Sequence, residues 1–157
     1  MRTLIDVLAG VAILANAVLY GTDVFGAIIL RPAIAAVDDR TLTQLLGHIH
    51  RTADRRFPGI DAAGLIAAIA TVALAAASEH WVSTAASAVA TLALISFTGV
   101  YNQVSRPVNT ALTAAALAGR VPDDARELQA RWDSVINARV ALQTIALAAL
   151  SVSLAAA

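Results

Sequence analysis

A chain of 157 residues suits a single domain covering 1–157. Apolar residues make up 59% of it and charged residues 14%, against roughly 45–50% and about 25% in a soluble domain. The apolar excess lies in long runs, which marks a membrane protein rather than a large soluble core. Eleven basic and eleven acidic residues cancel, and cysteine is absent, which excludes a bulk field for nucleic acid, disulfides, thiolate nucleophiles and Cys-bound zinc or iron–sulfur clusters.

In chain order, the first apolar run extends from Leu4 to Leu30, with Asp6, Asn16 and Asp23 its strongly polar members. About 20 helical residues cross a hydrocarbon layer of about 30 Å, so the run spans with some tilt. It is too long for a secretory signal, whose apolar region covers about 7–15 residues, and reads as a retained span ending at Arg31-Pro32. Asp38 or Asp39 then caps an amphipathic helix with Leu42, Leu45, Leu46, Ile49 and Ala53 on one face. Its place is along the membrane surface or under the bundle. Pro58-Gly59 punctuates the chain, and a second span follows from Ile60 to Ala77, with Asp61 at its start.

Ser78-Glu79-His80 is a tight turn, with Trp81 placed as an interfacial aromatic. The third span, Val82 to Val104, is rich in Ala and Ser, a composition that suits close helix packing in lipid and allows a homodimer. Pro107 and Asn109 follow, then a short helix from Thr110 to Leu117 closed by Gly119. Asp123 or Asp124 caps a helix carrying Leu128, Trp132 and Val135 on one face, which merges into a fourth span from Val135 to Ala157. The expected fold is therefore all-α: four transmembrane helices in a bundle, with short amphipathic helices in the two long connections.

Two Arg-Pro pairs, at Arg31 and Arg106, lie 75 residues apart, and the same offset brings Arg56-Phe57 onto Arg131-Trp132. This reads as two tandem helix pairs. Arginines crowd both long connections and are missing from the Ser78–His80 turn. Positive-inside reasoning puts those connections in the cytoplasm and both termini outside, with Arg2 dissenting. The expected setting is a bacterial cell membrane.

Polar groups inside spans are costly, and here they gather toward one end of the bundle: Tyr20, Asp23, Asp61, Tyr101, Asn102, Asn109, Asn137 and Arg139. Arg139 lies one turn inside its span, where Asp23, Asp61 or a ligand would balance it. Asn102 and Arg139, from different helices, are candidates to face a shared interior with apolar walls, the form of a small-molecule site. Trp132 suits an interfacial anchor or a pocket wall. His48 and His50 diverge by about 200° on a helix and cannot share a metal from one face; a surface position suits both. His50 with Asp54 would bind a metal only if another helix contributed. No phosphate loop, nucleophile elbow or zinc-protease signature is present.

Gly21 late in span one with Arg31-Pro32 after it, Pro107-x-Asn109, and the string Arg131-Trp132, Asn137, Arg139 opening span four together resemble the anthrone oxygenase-like family of small integral membrane proteins. The resemblance covers nearly the whole chain; its most specific part is Pro-x-Asn followed by Trp-x(4)-Asn-x-Arg. It implies oxidation of an anthrone to an anthraquinone by molecular oxygen, with no established metal or flavin, and hence no cofactor. Such an enzyme needs a base, a donor for the enolate oxygen and a dry pocket. His50 or Asp23 would take the proton. Arg139, with Asn109 and Asn102, would hold the oxyanion, while Trp132 and Tyr101 stack on the rings. Tyr20 and Asn137 complete the set of candidate contacts. The competing reading is a non-catalytic membrane protein that binds a lipid or quinone-like molecule, or acts as an accessory subunit.

Overall fold

A computed structural model describes residues 1–157, which form helices joined by short turns. Helix α1 (Arg2–Phe25) runs through a π-helical segment, Gly26–Leu30, into α2 (Arg31–Ala35). Helix α3 covers Asp39–Ala77. Helix α4 (Trp81–Val100) runs through a second π-helical segment, Tyr101–Ser105, into α5 (Arg106–Leu117), and α6 covers Ala125–Ala155. The result is four continuous rods of 34, 39, 37 and 31 residues, each long and apolar enough to cross a membrane.

At about 1.5 Å per residue the rods are about 46–58 Å long, well beyond a hydrocarbon layer of about 30 Å. The surplus lies at the arginine-bearing end. α1 and the α4–α5 rod stand diagonally apart, each packed against both α3 and α6. In the apolar half the seam is built of small residues, among them Ala12, Ala67, Ala68, Ala90 and Ala146, which let the backbones approach closely. At the arginine end a second cluster joins Ile34, Leu42, Leu46, Val108, Leu112 and Ala125. Leu14, Ile28, Ile66 and Leu92 point outward, as lipid-facing side chains do.

The rods do not stop where the sequence suggests. Arg31-Pro32 and Arg106-Pro107 were expected to end spans, yet each sits in the first turn of a helix that carries on. A proline has no N–H and its ring crowds the carbonyl four residues back. The chain meets this by inserting one residue before each pair: the Arg31 N–H bonds to the Gly26 carbonyl and the Arg106 N–H to the Tyr101 carbonyl, five residues back rather than four. The two π-helical segments are 75 residues apart, like the Arg-Pro pairs.

The amphipathic helix expected between spans one and two exists only as the first half of α3, since Pro58-Gly59 does not break that helix. The lost hydrogen bond is offset because both flanks are pinned, Leu42 and Leu46 in the cluster at the arginine end and Ala67 and Ala68 in the apolar seam. The short helix expected at 110–117 is likewise the second half of the α5 segment of its rod. What connects the rods is only residues 36–38, 78–80 and 118–124, with Glu79 and Gly119 at positive φ.

α3 packs tightly on α5 at Gly47. A Cβ at Gly47 would stand 2.6 Å from the Leu112 carbonyl oxygen and collide with the Ala116 side chain. Gly47→Ala should therefore destabilise the protein by about 1–3 kcal/mol through overpacking, read as a lower melting temperature in detergent. Gly10→Ala, with nothing within 4 Å, should not.

Asp38 caps α3, its Oδ1 accepting the Thr41 N–H at 2.7 Å. That backbone hydrogen bond holds its carboxyl below the usual carboxylate range. A depressed folded-state pKa gives stability that is present above the unfolded value and lost as pH falls through the folded one. Asp38→Ala should thus lower the melting temperature at pH 7, and the gap to wild type should close in acid.

Candidate functional site

One large cavity, of about 850 Å³, opens at the arginine end of the bundle. Its walls come from all four rods: Asp23 and Gly26 from the first, His50 to Leu65 from α3, Phe97 to Thr110 from the third and Gln129 to Arg139 from α6. Both π-helical segments contribute, since Gly26, Tyr101 and Asn102 line it. The Trp132 ring rests against Gly26, 3.5 Å from where a Cβ would stand.

Arg139 is the fixed point of the wall. It is buried, and its Nε and Nη2 donate to Asp23 Oδ2 and Oδ1 at 3.1 and 2.8 Å. Its Nη1 donates to Ser105 Oγ at 2.8 Å. Asp23 accepts a third bond from Gln143 Nε2 at 2.6 Å, and Asn16 Nδ2 donates to the Gln143 carbonyl. The guanidinium carbon lies 5.2, 5.9 and 5.4 Å from the ring centroids of Phe97, Tyr101 and Trp132, so three aromatic rings surround the cation. A guanidinium has five N–H groups; these three bonds leave two.

A second polar group sits on α3. Asp54 Oδ1 accepts from the Tyr101 hydroxyl at 2.7 Å and from Asn109 Nδ2 at 3.0 Å. One turn away, His50 is buried with its Nε2 covered and without a hydrogen-bond partner, its ring centroid 5.8 Å from that of Trp132. Asp61 Oδ2 accepts from the Thr98 hydroxyl at 3.3 Å. Gln129 donates to Asp133, which also faces Arg31 at 3.7 Å.

Of the residues singled out from sequence, Asp23, His50, Tyr101, Asn102, Asn109, Trp132 and Arg139 all line this cavity, while Tyr20 and Asn137 do not. Asn137 is exposed: two residues from Arg139 is about 200° around a helix, so with Arg139 inside, Asn137 must point out. His48 is exposed as expected, but His50 is not at the surface; α6 covers it through Trp132. Asp54, Phe97, Thr98, Gln129 and Asp133 also line it and were not among the candidates. Asp54, four residues after His50, was paired with it in sequence only as a metal ligand. Gln129 and Asp133 lie on the helix expected to open at Asp123 or Asp124, but as polar residues ahead of the apolar run they were not singled out. No three His, Asp or Glu side chains converge where one metal ion would sit.

Known proteins give no further guide: no family model, curated protein or solved structure matches the chain.

Removing one partner of a buried ion pair leaves the other charge uncompensated, at a cost of about 3–5 kcal/mol. Arg139→Leu and Asp23→Leu should each lower thermal stability in detergent by that order. The double replacement should recover most of the loss, since a well-packed apolar pair often serves as well as a buried ionic one.

Proposed function

We propose that this integral membrane protein is an anthrone oxygenase-like enzyme, oxidising a polycyclic phenolic or related apolar molecule with O2 and without a cofactor. The observation that carries the reading is the cavity: its volume of about 850 Å³ falls in the range of roughly 300–1,000 Å³ typical of small-molecule sites, and Arg139, His50 and Trp132 all line it.

In this reading the substrate's acidic C–H gives its proton to a base, and the resulting enolate adds O2. Loss of water then leaves a carbonyl, so that anthrone and O2 become anthraquinone and H2O. Asp23 is held by three donors, which leaves His50, on the cavity wall beside Trp132, as the better base of the two candidates. Arg139 stabilises the enolate oxygen with its two remaining N–H groups, Asn109 and Asn102 assist, and Tyr101 and Trp132 pack against the rings. Two tandem helix pairs, related by the 75-residue offset, build the bundle. The arginine end faces the cytoplasm, both termini lie outside, and a second copy pairs along the small-residue face of the third rod.

The closed ion pair of Arg139 with Asp23 favours a second reading, in which the cavity only stores or presents a lipid or quinone-like molecule. Oxygen uptake in detergent with an anthrone as substrate separates the two. The enzyme reading expects turnover that falls about 10²–10⁴-fold in His50→Gln, the range of a general base, and about 10²–10³-fold in Arg139→Gln, the range of one oxyanion donor. No oxygen uptake by wild type, or variants that turn over unchanged, would remove it.

A further inference from the structure

We infer that the ligand of this cavity is an apolar molecule carrying a protonated amine, held by Asp54 and Asp61. The inference goes beyond oxidation and does not depend on it.

Charge balance comes first. Asp23, Asp54, Asp61 and Asp133 line the cavity against Arg31, Arg106 and Arg139, an excess of one negative charge. Two of these carboxylates are answered within the protein, Asp23 by Arg139 and Asp133 by Arg31. Asp54 and Asp61 take part in none of the molecule's ion pairs. Arg106, the remaining cation of the wall, is exposed and donates to Asn102 at 3.4 Å.

A carboxylate drawn into a largely apolar wall is costly unless it is paired. Asp54 receives two neutral donors, Tyr101 and Asn109. Neither supplies a countercharge. Asp61 has a single long bond from Thr98.

Position comes second. His50, Asp54, Phe57, Asp61 and Leu65 recur along α3 at steps of three and four and all line the cavity, so one stripe of that helix faces it. The two free carboxylates are two turns apart, about 10 Å along the axis at 1.5 Å per residue. That is too far to chelate one metal ion and suits an organic cation lying along the wall.

The third observation is His50, buried on the same stripe with no hydrogen-bond partner at Nε2. The α3 side of the cavity thus carries a negative charge that no ion pair of the protein balances, which an ammonium group satisfies. The apolar body of the ligand meets Phe57, Leu65 and Phe97.

The test uses the full-length protein in a neutral maltoside detergent, in a Trp81→Phe background that leaves Trp132 as the reporter inside the cavity. Three probes of one shape are titrated by Trp132 fluorescence: 1-adamantylamine, 1-adamantanol and adamantane-1-carboxylate. The amine should bind at least tenfold more tightly than the alcohol, and the carboxylate weakest of the three. Asp54→Asn and Asp61→Asn should each reduce the amine-to-alcohol preference to under threefold, whereas Asp123→Asn, in the 118–124 connection, should keep it. Should either variant fail to fold, the wild-type ratio decides alone. Absence of amine binding, an alcohol or carboxylate bound as tightly as the amine, or a preference that survives in both folded variants would overturn the inference. A protein that prefers the amine but consumes no oxygen would sink the oxidation reading and leave this one standing.

Discussion

Hydrocarbon does not tolerate an unpaired charge, and in this bundle that rule falls hardest on Arg139. One turn inside an apolar helix, its guanidinium must find a carboxylate and further acceptors on other rods, and it does so in Asp23 and Ser105. Those bonds fix how the first, third and fourth rods stand relative to one another at the arginine end. Gln143 and Asn16 extend the network toward the apolar half. The cavity is the space left beside this network, bounded by the aromatic rings that enclose the cation.

The two π-helical segments set the shape of that space. Each adds one residue just before an Arg-Pro pair, which rotates everything after it relative to an uninterrupted α-helix. In the third rod the inserted turn carries Tyr101 toward Asp54 and Ser105 toward Arg139. In the first it sets Gly26 against the Trp132 ring. The hydrogen bond that each proline removes is thus accommodated by a π-helical turn at the level of the site, and such turns are frequent at functional positions. Pro58 in α3 acts at the same level, since it has no N–H to offer the carbonyl of Asp54 four residues earlier.

Much of this was legible in the sequence. The four apolar runs mark the rods, and the isolated polar residues within them mark the level at which they meet. Seven of the nine candidate site residues line one cavity. The continuity of the rods was not legible, because proline and glycine stop a helix only where its flanks are free to part, and at Pro32, Pro58 and Pro107 tertiary packing holds both sides. Gln129 and Asp133 went unmarked for a different reason: they sit ahead of the apolar run on the helix that opens at Asp124, where polar side chains ordinarily face water. Asn137 shows the opposite case: helical phase relative to Arg139 already excluded it. Tyr20 has no such simple spacing argument against it, and only the packing of α1 leaves it off the cavity wall.

The central claim is that costly polar side chains converge here because a guest is handled among them. The most direct measurement is an experimental density map of the protein in nanodiscs after incubation with 1,8-dihydroxyanthraquinone, a planar molecule of product shape. The account expects density for the ring system inside the cavity, in contact with Trp132 and within hydrogen-bond reach of His50 or Arg139. A cavity closed by collapsed side chains, or a guest found only on the lipid-facing surface, would contradict it.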